Sequence, residues 1–171
     1  MRAQITVQRF NPETEGKSAW YLSEYAVDYD RGATLLSALL QIKAENDGTL
    51  TFRASCRAAI CGSCLMQVNG TQKLACKTSL NDELLRYGKI KVGPMANMPV
   101  IKDLVVDMGS FWEKIKAVTP YIVSTGNKPL APSALKDINE QIYNADACIM
   151  CMACLSACTA YEVSNQFLGP A

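Results

Sequence analysis

Eight cysteines and no histidine among 171 residues set the chemistry open to this chain. The cysteines fall into two groups. Cys56, Cys61, Cys64 and Cys76 are spaced C-x4-C-x2-C, with eleven residues before the fourth; Cys148, Cys151, Cys154 and Cys158 are spaced C-x2-C-x2-C-x3-C. The absence of histidine removes His-ligated haem, His-containing zinc sites, Rieske-type clusters, Cys-His nucleophile pairs and the usual general base. Thiolate is left as the soft ligand, and hydrolytic chemistry has little to work with. Four disulfides of a secreted protein are the competing use. The opening Met1-Arg2-Ala3-Gln4-Ile5 has no charged segment leading into an apolar one, however, so a reducing compartment is expected. There, closely spaced cysteines more often bind metal or a cluster than pair with one another.

The first spacing is that of plant-type two-iron ferredoxins. A short loop wrapped around a buried cluster presents three thiolates while its backbone N–H groups turn inward, and Gly62 and Ser63 suit the crowded backbone. A four-thiolate zinc knuckle is the alternative use of the same residues. The second spacing is that of the four-iron ferredoxin run, with Thr159 in place of the usual proline. In such runs the fourth cysteine serves a different cluster, so Cys148, Cys151 and Cys154 would bind one cluster and Cys158 another. Eight cysteines do not close that arithmetic. Three arrangements would, taken in this order: the chain is the N-terminal portion of a longer protein, a separate chain completes the sites, or Cys158 closes a single four-iron cluster.

The elements that must position these thiols are legible in the hydrophobic pattern. Ala3, Ile5 and Val7 alternate with polar residues, predicting a first strand; Tyr25, Val27 and Tyr29 alternate in a second, after a polar turn over 11–18. Leu35, Leu36, Leu39, Leu40 and Ile42 share a helical face, with Thr34 placed to cap it and Asn46-Asp47-Gly48 to stop it. Asn69-Gly70 between Leu65–Val68 and Thr71–Leu74 predicts a two-residue hairpin. Counting outward from that turn sets Leu65 opposite Leu74, so Cys76 returns beside Cys64. Lys89 to Val92 reads as a last short strand ended by Gly93-Pro94. From Ile101 the period becomes helical, through Leu104, Val105, Met108, Phe111, Trp112, Ile115 and Val118, up to Pro120. Thr119 to Pro132 reads as an ordered loop or linker, and a helix carrying Leu135, Ile138 and Ile142 is expected after Ser133.

The fold class expected is therefore α+β: an N-terminal β-grasp domain of the plant-type 2Fe-2S ferredoxin kind over 1–100, then a smaller all-α, ferredoxin-like helical domain over 101–171. With 17 Lys and Arg against 16 Asp and Glu, no global field recruits nucleic acid or anionic lipid. The longest apolar runs, such as Ala145 to Cys151, fall far short of the roughly 20 residues of a membrane helix.

In Phe52-Arg53-Ala54-Ser55-Cys56-Arg57, Ile60-Cys61-Gly62-Ser63-Cys64, Leu74-Ala75-Cys76-Lys77, Pro99-Val100-Ile101-Lys102-Asp103-Leu104, the Cys148 run and Phe167-Leu168-Gly169-Pro170, the sequence resembles the iron-sulfur subunit of succinate dehydrogenase and fumarate reductase. The resemblance covers essentially the whole chain. It implies a 2Fe-2S cluster on Cys56, Cys61, Cys64 and Cys76, a 4Fe-4S cluster on Cys148, Cys151 and Cys154, and a 3Fe-4S cluster whose first ligand is Cys158. The remaining ligands of the last two clusters would come from outside these 171 residues. It implies, too, an FAD-containing flavoprotein partner and a membrane anchor with quinone, and a place on the cytoplasmic face of a bacterial inner membrane or the matrix face of a mitochondrial one. Ala59 and Thr159 depart from the family's common Gly and Pro, and no Trp follows Cys158, so the quinone site is not carried over. Trp20 and Trp112 are read as core or interface residues.

The leading reading is an electron-transfer subunit that converts no substrate itself, with Arg57, Ser55 and Ser63 as candidates for tuning the first cluster. A free ferredoxin-like carrier, an iron-sulfur subunit of another multi-subunit reductase, and a zinc-stabilised interaction module are the alternatives. The direction of catalysis is not set by the sequence.

Overall fold

Nine residues at the N-terminus form β1 (Arg2–Phe10), which runs antiparallel to β2 (Trp20–Asp28) with Ile5 opposite Tyr25. The computed structural model describes residues 1–119, 147–164 and 166–170, with Ser133, Lys136 and Asp137 as single positions. Alternation along β1 does what the pattern predicts: Ala3, Ile5 and Val7 are buried. The inward row also takes in Arg9, 1% exposed, which sequence reasoning left unremarked. Burying a guanidinium is tolerated only if every donor is used. Its Nε donates to Asp103 (2.8 Å), Nη1 to Asp47 (2.6 Å) and Tyr25 (2.8 Å), and Nη2 to Thr49 (2.9 Å).

Helix α1 (Leu35–Gln41) starts where Thr34 caps it. The Thr34 hydroxyl accepts from Ser37 N, the Ser37 hydroxyl accepts from Thr34 N, and the reciprocal pair satisfies two of the free N–H groups at a helix start. One wider turn over Ile42–Asn46 follows, closed by Asp47. Leu35, Leu36, Leu39 and Ile42 pack into the main core with Ile5, Val7, Met66, Val68, Ile90 and Val92.

The hairpin of β3 (Leu65–Val68) and β4 (Thr71–Leu74) has the expected register, Leu65 to Leu74 and Val68 to Thr71, with positive φ at Asn69 (47°) and Gly70 (81°). Strand β5 (Ile90–Gly93) lies parallel to β1 and antiparallel to β3, completing a mixed sheet in the order β2-β1-β5-β3-β4. One helix packed on such a sheet is the expected β-grasp arrangement. Between β4 and β5 lies α2 (Leu80–Tyr87), which the sequence reading missed; the Ser79 hydroxyl caps its start and Gly88, at φ 70°, its end.

The long helix expected from Ile101 needs correction. Residues 100–106 form a second hairpin, β6 (Val100–Lys102) and β7 (Val105–Val106), and α3 begins only at Gly109, running to Val118. The cause is Asp103. Its carboxylate accepts from Arg9 Nε, Phe10 N (3.2 Å) and Thr51 N (2.9 Å), and these tertiary bonds hold it in a left-handed turn (φ 49°) that a helix excludes. Helix α3 ends at Val118, short of Pro120 as expected. Two short helices close the described chain, α4 (Ala153–Ser156) and α5 (Thr159–Val163). A second apolar cluster joins them to the sheet: Met152, Leu155 and Tyr161 meet Leu65, Met95, Met98 and Val106. The helix expected around Leu135, Ile138 and Ile142 lies outside the described residues, as does the loop expected before it beyond Thr119. The overall class is α+β, as expected.

Candidate metal centre

The first cysteine loop follows the extended stretch after α1 and runs straight into β3. Three of its residues have left-handed backbone, Arg57 (φ 56°), Ala59 (φ 58°) and Gly62 (φ 71°). For Arg57 and Ala59 that conformation costs roughly 1–2 kcal/mol each. What it gains is direction: alternating the sign of φ points successive N–H groups to the inside of the loop. The Cys56 Sγ accepts from Ala58 N (3.3 Å), Ile60 N (3.4 Å) and Cys61 N (3.3 Å). The Cys76 Sγ accepts from Ala59 N (3.2 Å), and the Cys61 Sγ from Cys56 N (3.5 Å). Ala59, which departs from the glycine of the resembled family, thus holds the positive φ and supplies one of the N–H groups.

The four sulfurs sort into two pairs. Cys56 and Cys61 face one another through the loop, while Cys64 and Cys76 are brought together by the hairpin, where Ala75 N donates to Cys64 O at 3.1 Å. Their environments differ sharply. The Ser63 hydroxyl, 3.1 Å from the Cys61 Sγ, is the main cause that lowers that thiol to about 6, helped by the Cys56 and Ser63 N–H groups. Burial pushes the Cys64 thiol up to about 11. Ser63 is therefore in contact with a sulfur, as expected of a tuning residue. The side chains of Arg57 and Ser55 make no bond to sulfur among the described residues, and what Arg57 contributes to the loop is its left-handed backbone.

Cys148 and Cys154 are exposed, Cys151 and Cys158 half-buried. Left-handed Met150 (φ 51°) and Met152 (φ 68°) bracket Cys151, and Met152 opens α4, which carries Cys154. Three features here were not legible as functional. Asn97, itself at φ 62°, donates its side-chain amide to the carbonyls of Ser156 (3.2 Å) and Cys158 (3.0 Å) and reaches that of Leu155 (3.5 Å). The Ser156 hydroxyl donates back to Ala96 O (2.9 Å). A cavity of about 260 Å³, lined by Cys61, Gly62, Met95, Trp112, Met150 and Met152 among others, lies between the two cysteine loops. An Asn followed by Met-Pro gives no sequence signal of such a clamp; only the folded contact shows it. Of the two tryptophans, Trp20 stacks on Phe10 at 4.7 Å and Trp112 packs edge-on to Phe111 at 5.2 Å, both partly exposed.

Among the described residues, no three Cys, Asp or Glu side chains converge on a position for a single metal ion. Two thiol pairs beside N–H groups directed at sulfur are a donor set that would fit a two-iron cluster.

Comparison with known proteins gives the same assignment at the level of the family. Residues 4–113 match the model of a 2Fe-2S iron-sulfur cluster binding domain. The chain is 42% identical over 173 residues to the fumarate reductase iron-sulfur subunit of Mycobacterium tuberculosis, covering 99% of this chain and 68% of the relative. It is 40% identical to the same subunit of Haemophilus influenzae, over 98% of this chain and 68% of the relative. Against the mitochondrial succinate dehydrogenase [ubiquinone] iron-sulfur subunit of Candida glabrata it is 37% identical, over 96% and 66%. In structure it superimposes on a chain of the Mycobacterium smegmatis Sdh1 complex in the apo form with a TM-score of 0.77 at 26% identity, covering 99% of this chain and 70% of that one.

Proposed function

Because the chain belongs to the family of iron-sulfur subunits of fumarate reductase and succinate dehydrogenase, we propose that it relays single electrons between an FAD-containing flavoprotein subunit and quinone at a membrane anchor. The observation that carries the reading is the sorting of Cys56 with Cys61 and of Cys64 with Cys76 beside inward N–H groups. A bound 2Fe-2S cluster supplies one-electron chemistry at a potential set by its charge, the hydrogen bonds to its sulfurs and its exposure. The chain does the rest. Cys56, Cys61, Cys64 and Cys76 hold the cluster; the N–H groups of Ala58, Ile60 and Cys61 bond the Cys56 sulfur and that of Ala59 the Cys76 sulfur, while the Ser63 hydroxyl favours the thiolate of Cys61.

Cys148, Cys151 and Cys154 serve a 4Fe-4S cluster and Cys158 a 3Fe-4S cluster, with the remaining ligands supplied from outside these 171 residues. Two units are proposed, 1–100 and 101–171, with Leu104 of the β6–β7 hairpin contributed to the main core. No described helix is long and apolar enough to cross a membrane; in this reading attachment runs through the anchor subunit, on the cytoplasmic face of a bacterial inner membrane or the matrix face of a mitochondrial one.

Low-temperature electron paramagnetic resonance on the complex purified anaerobically from its native source tests this. Succinate should produce a reduced two-iron signal that the Cys56→Ser variant alters or loses. A signal that appears only with dithionite would mean that the partner is different or the cluster potential too low for succinate, and the carrier or fumarate-side readings would replace a succinate-fed relay.

A further inference from the structure

Gly62 is where the two cysteine loops touch. It is buried, and a Cβ built on it would lie 2.7 Å from the Cys151 Cβ, 2.8 Å from its Cα and 3.2 Å from its N. None of these atoms is the far end of a flexible side chain, so a methyl group at 62 has no room until one loop moves. Elsewhere the chain uses left-handed glycines without such a constraint: Gly16 (φ 73°) and Gly70 (φ 81°) have nothing within 4 Å of a built Cβ. The chain that follows Cys151 is tied down as well. Asn97 spreads its amide over the carbonyls of Leu155, Ser156 and Cys158, and Ser156 bonds Ala96 O in return.

From this geometry we infer that Gly62 is a positioning residue for electron transfer: its missing side chain lets the loop of the first cluster meet the backbone of a second-cluster ligand, and that contact, clamped by Asn97, sets the gap the electron crosses. The inference rests on the proposed relay and adds to it the residue that fixes the distance. Gly62 supplies no ligand itself and meets only the backbone and Cβ of Cys151, so its effect is on the separation of the two loops.

Pulsed electron paramagnetic resonance on the reduced complex reads this directly, through the enhancement of two-iron relaxation by the neighbouring cluster. Gly62→Ala should keep the two-iron g-values while the enhancement weakens, and electron arrival at the second cluster after rapid mixing should slow severalfold. Gly16→Ala, with the same backbone strain and no contact to fill, should leave both at the wild-type level. Should Gly62→Ala fail to assemble, Asn97→Ala decides, because it loosens the same contact with the first loop untouched; weakened enhancement is again expected. Wild-type enhancement in an assembled Gly62→Ala, or in Asn97→Ala where Gly62→Ala fails, overturns the inference, as does equal loss in Gly16→Ala. A wild-type complex with a two-iron signal and no second paramagnetic cluster would instead remove the relay itself.

Discussion

Arg9 shows how one buried charge can organise a distant part of the chain. It sits on the core face of β1 at a position where the strand's alternation calls for an apolar residue, and it reaches Asp47 after α1 and Asp103 in the β6–β7 turn. Burial alone would lower its pKa; the bonds to Asp103 and Asp47 outweigh that and hold it above the ordinary arginine value. Removing one partner of such a pair leaves the other charge buried and uncompensated, which costs about 3–5 kcal/mol. Arg9→Met, which keeps most of the volume, should lose that much in denaturant unfolding; a loss below about 1 kcal/mol would mean that Asp103 finds water. The pH dependence has a definite sign. Asp47 is held well below the usual carboxylate range, first by the Thr49 hydroxyl and then by Tyr25 and Arg9, against the opposing effect of burial. A depressed folded-state pKa stabilises fully above the unfolded value of about 3.9 and is lost as pH falls below it toward the folded one. Asp47→Asn should therefore be less stable at neutral pH and should lose less on acidification, which unfolding midpoints measured between about pH 2 and 6 will show. None of this was legible in the sequence, because Arg9, Asp47 and Asp103 carry no local signal of one another across 94 residues.

At the scale of the element, legibility follows how local the cause is. Thr34 caps α1, and Asn69-Gly70 fixes the β3–β4 register, through bonds and dihedrals within a few residues; both were readable, and the second put Cys76 beside Cys64. Helix α2 was equally local and was overlooked, although Ser79 and Gly88 flank it and Asp82 and Glu83 fill its first turn. The β6–β7 hairpin was not readable, since Ile101, Leu104, Val105 and Met108 fit a helical face until Arg9, Phe10 and Thr51 claim Asp103. Asn69 does more than turn the chain: its Oδ1 accepts from Lys91 N (2.9 Å) and its amide donates to Glu83 (3.0 Å), tying the hairpin to β5 and α2. Gly70 has only the turn to serve, with open space around a built Cβ. Gly70→Ala should thus cost backbone strain alone, about 1–2 kcal/mol, and leave the two-iron spectrum unchanged. A shifted spectrum would show that the hairpin transmits strain to Cys64 and Cys76.

The whole molecule is built on two cores of unequal dependence. The main core closes on residues of β1, β2, α1, β3, α2 and β5 with Leu104, and among the described residues takes nothing from the segment after α3. The second core is mostly borrowed: Met152, Leu155 and Tyr161 pack on Leu65, Met95, Met98 and Val106, with Leu74, Val100, Met108 and Phe111 partly buried around them, and the sheet, its neighbouring loops and α3 supply all of these. Damage should therefore spread in one direction. Leu155 and Leu39 are 2% and 0% exposed, and truncating either to Ala costs about 2–5 kcal/mol. In Leu155→Ala that loss falls on the 147–164 segment, which should exchange amide hydrogens faster and become open to protease while the two-iron absorption persists. In Leu39→Ala it falls on the core that positions both cysteine groups, and the two-iron absorption should go together with the protection of 147–164. Hydrogen exchange and visible absorption on the same anaerobic samples compare them. Loss of the two-iron chromophore in Leu155→Ala would mean that the cores fold as one cooperative unit, and that the first cluster site leans on the second loop as much as the second leans on the first.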